Sequence, residues 1–131
     1  EILSFRLTPG NIDDRKPLPE LTKDLSGCLY ADKGYLSASL KQQLKTMRIS
    51  LITNIKKKMK PIKQSCFDKA ILRHRSVIET VFDELKNLCQ IEHTRHRSPA
   101  NFLVNLLGGL VAYCLMPSKP KIPVAGTYLQ T

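Results

Sequence analysis

The fold is decided by residues 28–55, which read CLYADKGYLSASLKQQLKTMRISLITNI. The run Cys28–Ala31 is apolar and ends in a polar turn, which is typical of a buried strand. Ser37 is a candidate N-cap for a helix whose apolar residues recur at helical spacing. The β-branched run Ile49–Ile55 indicates a second strand. A strand, a helix and a strand within about 30 residues predict a βαβ unit with two parallel strands.

Upstream of this unit the sequence predicts one more strand and one short helix. Residues 2–7 alternate well enough for a strand, and a turn at residues 8–11 ends it. Asp13 or Asp14 is expected to cap a short helix that stops at Gly27.

Downstream, a basic surface loop over residues 56–65 precedes two predicted helices. The first is a long helix over residues 68–89 with Ile78, Phe82 and Leu85 on an apolar stripe. The second begins at Ser98 and runs to residue 115, is apolar on nearly every side and is therefore expected to be buried. The order β-α-β-α-β followed by two helices predicts an α/β fold with a mixed sheet covered by helices.

Two further features concern the last helix and the tail. The adjacent glycines at positions 108 and 109 predict a close approach of the helix backbone to a neighbour. The segment 117–131 is rich in proline and lysine, so the sequence divides into a domain over residues 1–116 and a tail over 117–131.

The composition excludes several classes of protein. With 131 residues, 42% of them hydrophobic, the chain has room for one domain with a core and is neither disordered nor fibrous. The longest apolar run, residues 102–116, is shorter than the roughly 20 residues that cross a bilayer, so no membrane partner is expected. Four cysteines without zinc-ligand or C-x-x-C spacing are typical of a reducing, cytoplasmic location.

The charge indicates a polyanionic partner. Twenty-one Lys and Arg residues against eleven Asp and Glu residues give a net charge of +10. Between Asp32 and Asp68 there is no carboxylate, while nine cations occur, namely Lys33, Lys41, Lys45, Arg48, Lys56, Lys57, Lys58, Lys60 and Lys63. Such charge suits nucleic acid first and an anionic membrane surface second, and of the two we expect nucleic acid and no membrane. The alternative is a solvated face that keeps the protein soluble.

Asp32 is the first candidate functional residue. It directly follows the strand at 28–31, and ligands and catalytic groups gather at the carboxyl ends of strands in open α/β sheets. The alternative is that Asp32 only caps a turn with Gly34.

The long helix presents a second candidate group. Arg75, Glu79, Asp83 and Lys86 fall within an arc of about 80° on a helix. Carboxylate oxygens on a rigid element suit Mg²⁺, while the arginine and lysine would bind phosphate oxygens. The alternative is ordinary salt bridging along an exposed helix face.

The motifs at these positions resemble those of DDE transposases of bacterial insertion sequences. Arg75-x3-Glu79-x6-Lys86 matches the Arg-Glu-Lys part of their Tyr-Arg-Glu-Lys signature. Residues 31–35, ADKGY, look like the Asp-x-Gly-Tyr motif, and residues 8–15, TPGNIDDR, look like the Pro-Gly-Asn-x-x-Asp segment before it. Residues 91–99 are similar to the segment that follows the catalytic helix, so the resemblance spans roughly residues 1–116.

The resemblance implies an RNase H-like fold and Mg²⁺-dependent, or Mn²⁺-dependent, cleavage and strand transfer at transposon ends. Asp32 and Glu79 would be the second and third catalytic, metal-binding carboxylates. Arg75 and Lys86 would contact the DNA ends, and a homo-oligomer would bring two ends together. Further DNA contacts are expected at cations in the basic tract and before the last helix, namely Lys33, Lys56, Lys57, Lys58, Lys60, Arg95 and Arg97.

The sequence departs from this family in two places. Leu72 stands where the signature has tyrosine, and no residue matches the first catalytic aspartate or its strand. The sequence therefore predicts the C-terminal portion of a catalytic domain, without the N-terminal strands and with little or no activity alone. Two alternatives remain open: a non-catalytic basic nucleic-acid-binding module or remnant, and an RNase H-type nuclease that hydrolyses without joining.

Overall fold

The computed structural model describes residues 1–55, 64–92 and 97–122. The chain forms two compact units. The N-terminal unit comprises Leu3–Arg73, and the C-terminal unit comprises His74–Gln130 together with Glu1–Ile2.

The N-terminal unit is built on the predicted βαβ arrangement. Its elements are α1 (Leu18–Leu21), β1 (Gly27–Ala31), a 3₁₀ turn (Lys33–Tyr35), α2 (Ala38–Thr46), β2 (Ile49–Thr53) and α3 (Cys66–Arg73). β1 and β2 pair in parallel, with Gly27 opposite Ile49 and Ala31 opposite Thr53. The α/β class and the parallel pair are thereby confirmed.

The core of this unit lies between α2 and the sheet. Leu40 and Leu44 of α2 pack against Ile49 and Leu51 of β2, and all four are buried. Their spacing of four on the helix and two on the strand places each pair on one face. The predicted N-cap is confirmed, since the Leu40 backbone N–H donates to Ser37 Oγ at 3.4 Å.

The opposite face of β1 is joined to α3. Leu29 and Ala31 pack against the core beneath α2, so Tyr30 between them faces the other way. Its hydroxyl donates to Asp68 Oδ1 at 2.7 Å. Asp68 and Ser65 also cap α3 reciprocally, because the Asp68 N–H donates to Ser65 Oγ at 3.0 Å and Ser65 Oγ donates to Asp68 Oδ2 at 2.7 Å. The side-chain hydrogen bond from Ser65, followed by that from Tyr30, lowers the pKa of Asp68 below its ordinary value of 3.8.

This lowered pKa predicts acid sensitivity of the N-terminal unit. A carboxyl group with a depressed pKa in the folded state stabilises the fold above its unfolded pKa, and that stabilisation is lost as the pH falls through the folded pKa. We therefore expect the urea midpoint to fall below about pH 4, and Asp68→Asn to reduce that fall. Asp24→Asn, a change at an exposed carboxylate outside α3, is the control. An acid dependence that is identical in both variants would contradict the assignment.

A left-handed turn connects α2 to β2. Arg48 has φ 63°, and its N–H donates to the Lys45 carbonyl at 3.1 Å. The Arg48 carbonyl in turn accepts from the N–H of Gly27, itself at φ 109°, at 3.1 Å. The end of the helix is thus fixed to the start of β1, with a non-glycine residue in the conformation that glycine usually adopts after a helix.

Two predictions for the first 27 residues are wrong. Residues 1–9 form no strand, because they pair with no other strand in the described part of the chain. α1 starts only after Pro17 and has no side-chain cap, so neither Asp13 nor Asp14 begins it. Asp13 Oδ1 instead accepts from the Arg15 N–H at 2.9 Å, and the helix ends at Leu21, well before the predicted end at Gly27. The turn at 8–11 is confirmed by the Ile12 N–H, which donates to the Pro9 carbonyl at 3.1 Å.

The predicted single helix over 68–89 is two helices. α3 ends at Arg73, and α4 spans Ser76–Asn87. Between them the N–H groups of Val77 and Ile78 donate to the carbonyls of His74 and Arg75, three residues earlier. Such 3₁₀ bonding interrupts the α-helical ladder without changing the apolar periodicity that the prediction used. The boundary between the two units falls at the same place.

The C-terminal unit pairs α4 with α5 (Pro99–Leu115). The start of α5 at Ser98–Pro99 and the close approach at Gly109 are confirmed, since a Cβ there would meet Ile91 Cγ2 and lie 3.1 Å from the Cys89 carbonyl. Leu85 and Tyr113 are buried.

The expected burial of α5 on nearly every side is wrong. Large apolar side chains on both helices are exposed, namely Ile78, Phe82, Leu103, Val104, Leu107, Val111 and Leu115. Two helices that meet along one line cover one side of each, which accounts for these open faces. No helix among the described residues is long and apolar enough to cross a membrane.

Candidate active site

Asp32 lies directly after β1 and caps the 3₁₀ turn that follows. Its Oδ1 accepts from the Lys33 N–H at 2.6 Å, and its carbonyl accepts from the Tyr35 N–H at 3.0 Å. The carboxyl-end position and the turn-capping role, which the sequence offered as alternatives, are therefore combined in one residue. The cap fixes one carboxylate oxygen to the backbone, so the side chain is held at the edge of the sheet.

Two further carboxylates share a cleft with Asp32. The cleft has a volume of about 610 Å³, and Asp13 and Asp14 line it together with Tyr35. Burial, and then the negative charges of Asp14, Asp13 and Asp32, raise the pKa of Tyr35. Because three anions act on one phenol, the cleft has a negative potential that favours a cation.

Arg15 offsets part of this charge. Its guanidinium donates to both carboxylate oxygens of Asp13, with Nη2 2.5 Å from Oδ2. This hydrogen bonding holds the pKa of Asp13 well below its usual range. Asp13 is thus ion-paired with Arg15, whereas no ion pair involves Asp14 within the described residues.

The chemistry of these donors fits a hard divalent cation, which prefers carboxylate oxygens. Among the described residues, however, no group of three Asp, Glu, His or Cys side chains is arranged to hold a metal ion. A metal bound here would keep water for most of its coordination sphere.

Glu79 lies on the first turn of α4, in the C-terminal unit. Its side chain is 74% exposed, and its Oε1 is 3.9 Å from Nη2 of Arg75. Arg75 is the N-cap residue but has helical backbone angles, which preserves the i,i+4 relation across the start of the helix. An exposed pair at this distance contributes at most about 1 kcal/mol, so a phosphate or a metal can displace it.

Lys86 lies seven residues beyond Glu79 and so nearly on the same side of α4. Its Nζ is 2.8 Å from Glu92 Oε1, while Asp83 Oδ1 accepts from the side chain of Asn87 at 2.6 Å. The predicted salt-bridge alternative is therefore met by one i,i+4 pair, Arg75 with Glu79, since Glu92 lies beyond the end of α4. Both candidate phosphate-binding side chains, Arg75 and Lys86, are paired with glutamates.

The remaining predicted DNA contacts are only partly described. Lys33 and Arg97 are exposed, Lys33 beside Asp32 and Arg97 just before α5. The others lie outside the described residues, namely Lys56, Lys57, Lys58, Lys60 and Arg95. Leu72, which replaces the signature tyrosine, is buried, 6% exposed.

Sequence reasoning missed the convergence of Asp13 and Asp14 on the Asp32 cleft. A signal was present, because both belong to the segment 8–15 that resembles a family motif. The turn at 8–11 and the Arg15 pair fold that segment back beside the 3₁₀ turn, which no periodicity could indicate.

The sequence model of the protein family described as Transposase DDE domain matches residues 1–99 of the chain. The match covers Asp32, Glu79, Arg75 and Lys86, and the chain belongs to this family. Its general function is therefore DNA cleavage in transposition, with DNA as the partner and divalent metals as the usual cofactors of such domains. Comparisons with curated proteins and with solved structures found no match.

Proposed function

We propose that the chain is the C-terminal part of the catalytic domain of a bacterial insertion-sequence transposase of the Tyr-Arg-Glu-Lys type. The domain cleaves DNA at transposon ends and joins the freed 3′ hydroxyl to target DNA. The observation that supports this most is Asp32 in an acidic cleft at the carboxyl end of β1, within a chain that matches the family. The parallel pair with its α2 crossover is consistent with an RNase H-like fold.

Asp32 and Glu79 are the proposed metal ligands, with Mg²⁺ or Mn²⁺ as the ion. The bound metal supplies charge stabilisation at the attacking and leaving oxygens of an in-line phosphoryl transfer. The role of Asp32 is to present a carboxylate that the Lys33 N–H already orients. Glu79 requires release from Arg75 before it can act.

Arg75 and Lys86 are the proposed contacts to the DNA ends. Each exchanges a weak surface ion pair, with Glu79 and Glu92 respectively, for a phosphate. The planar guanidinium of Arg75 can bind two phosphate oxygens at once. When Arg75 moves to DNA, the exposed carboxylate of Glu79 loses this ion-pair partner and can bind a metal ion.

The further proposed DNA contacts hold backbone phosphates. Contacts of this kind position the duplex and do not read its sequence. They comprise Lys33, Lys56, Lys57, Lys58, Lys60, Arg95 and Arg97. The full protein is proposed to act in the cytoplasm as a homo-oligomer, because two transposon ends must be brought together.

The isolated chain is expected to show little or no strand transfer. Two carboxylates without the first aspartate of the family bind Mg²⁺ weakly, mostly through water ligands. A plasmid-nicking assay with Mg²⁺ and with Mn²⁺ tests this expectation. Metal-dependent cleavage by the purified 131 residues, abolished by Asp32→Asn, would contradict it.

Metal affinity tests the proposed ligands directly. We expect Asp32→Asn and Glu79→Gln each to weaken Mn²⁺ binding about tenfold or more, measured by water-proton relaxation. Asp24→Asn removes the same charge at an exposed position of the N-terminal unit and is expected to leave the affinity unchanged. If both site variants retain wild-type metal affinity while DNA binding persists, the chain is a non-catalytic basic binding module.

A further inference from the structure

A second cleft lies at the amino end of the same sheet. It has a volume of about 520 Å³ and opens beside the first residues of β1 and β2. Cations from α2 and from the left-handed turn line it together with small and apolar strand residues. The lining residues are Gly27, Cys28, Lys41, Lys45, Arg48, Ile49, Ser50 and Leu51.

Among the described residues, every charged side chain that lines this cleft is a cation. Lys41, Lys45 and Arg48 are exposed, and within the described residues none of them lies in an ion pair. All eleven acidic side chains of the protein belong to the described residues, and none of them lines the cleft. Three cations at one concave surface raise the local concentration of anions.

The spacing of the cations suits a linear polyanion. Lys41 and Lys45 are one helical turn apart, about 6 Å along α2, and Arg48 continues beyond the end of the helix. The helix dipole explains cations in the last turn, at Lys45 and Arg48, but not Lys41 in the first half of α2. A row of phosphates, with one charge per about 3.4 Å on each strand, matches all three.

The backbone at Arg48 explains how a third cation reaches the cleft. Its φ of 63° lies in the left-handed region, where a side chain costs free energy and glycine does not. Arginine is nevertheless present at this position, and the residue lines the cleft. The left-handed turn ties the end of α2 to β1, and it places Arg48 at the cleft beside Lys45.

We propose that Lys41, Lys45 and Arg48 bind the phosphate backbone of duplex DNA at the amino end of the sheet. This surface is separate from the Asp32 cleft, which lies at the other end of β1, about 16 Å away along the strand. The proposal rests on the proposed function, and it adds a place where the transposase domain holds DNA away from the reacting phosphates. A duplex that spans both ends of β1 would be contacted about five base pairs from the cleavage site.

The test is duplex binding by the whole chain over a salt series, with a metal chelator present to silence the carboxylate site. The variant Lys41→Gln/Lys45→Gln/Arg48→Gln is compared with Lys23→Gln/Lys69→Gln/Lys121→Gln, which removes the same charge at exposed lysines outside the cleft. We expect the cleft variant to bind at least about tenfold more weakly near 0.1 M salt. The plot of log binding constant against log salt concentration has a negative slope. For the cleft variant we expect that slope to be shallower by roughly 2.7, or about 0.9 for each lost phosphate contact.

A second variant distinguishes lost DNA contacts from a folding defect. Arg48→Gly removes one charge and relieves the left-handed backbone, so we expect a higher Tm together with a salt slope shallower by about 0.9. A higher Tm with weaker DNA binding cannot arise from unfolding. Alkylation supplies a local readout, since DNA is expected to protect Cys28 inside the cleft but not Cys114 on α5.

The outcomes separate this proposal from the proposed function. If the wild-type chain binds duplex and the cleft variant binds as the control does, the cleft proposal is wrong and the transposase assignment stands. Unprotected Cys28 in the DNA complex would also contradict the cleft proposal. A wild-type chain that binds no duplex at any salt concentration would contradict both.

Discussion

Replacing Leu44 by alanine is expected to lower the free energy of unfolding of the N-terminal unit by about 3 kcal/mol. Leu44 is completely buried, and its side chain lies at the centre of the cluster that joins α2 to the sheet. Truncation removes apolar contacts and leaves a cavity that a helix fixed at both ends cannot close. A unit of about 70 residues has a small free energy of unfolding, so this substitution would remove most of that free energy.

Urea denaturation followed by circular dichroism measures this loss. Gln43→Ala is the matched control, because it truncates the adjacent but exposed residue of the same helix. We expect that control to change stability by no more than about 0.5 kcal/mol. Equal midpoints for Leu44→Ala and Gln43→Ala would show that the core does not lie beneath α2.

The second large effect is expected at Gly109, in the middle of α5. A β-carbon added there would clash with Ile91 Cγ2 and lie 3.1 Å from the Cys89 carbonyl oxygen, which is backbone and cannot turn away. Alanine normally stabilises a helix relative to glycine by about 1 kcal/mol. Here overpacking outweighs that gain, and we expect Gly109→Ala to destabilise the C-terminal unit by about 2 kcal/mol.

The neighbouring glycine supplies a control of opposite sign. Nothing lies within 4 Å of a β-carbon added at Gly108. Gly108→Ala is therefore expected to stabilise the same helix by about 0.5–1 kcal/mol, and the two variants should move Tm in opposite directions. If both alanines raise Tm, the segment at 89–91 does not pack on α5.

The parts of the fold that sequence reasoning predicted are those with consistent local signals. The Ser37 cap, the leucines of α2 and the β-branched β2 all indicate the same βαβ unit. A sequence specifies a structure when its capping residues, its apolar pattern and its local propensities agree in this way. The errors concern features that depend on distant partners. Residues 2–7 alternate like a strand but pair with no other strand in the described residues, and α5 is apolar without a layer over its outer face.

The break between α3 and α4 was missed for another reason. The 3₁₀ hydrogen bonds to His74 and Arg75 leave no mark on the apolar period of the sequence, so that period still indicates one helix across them.

The candidate site was predictable to a similar extent. Asp32 follows a strand that the sequence identifies, so its place at the sheet edge could be derived. The approach of Asp13 and Asp14 depends on a loop path, and the amino-end cleft depends on the backbone angle of Arg48, which residue type alone argues against. The basic tract was evident from composition, but its division between an ordered cleft and other surfaces was not.

Asp32 and Glu79 are the proposed metal ligands, and paramagnetic broadening tests that proposal most directly. Mn²⁺ is titrated into the isotope-labelled chain while the backbone amide signals are followed. We expect the amides around Asp32 and Glu79 to broaden together at low metal concentrations. Scattered or absent broadening in a well-dispersed spectrum would contradict it, and the chain would then be a basic binding module.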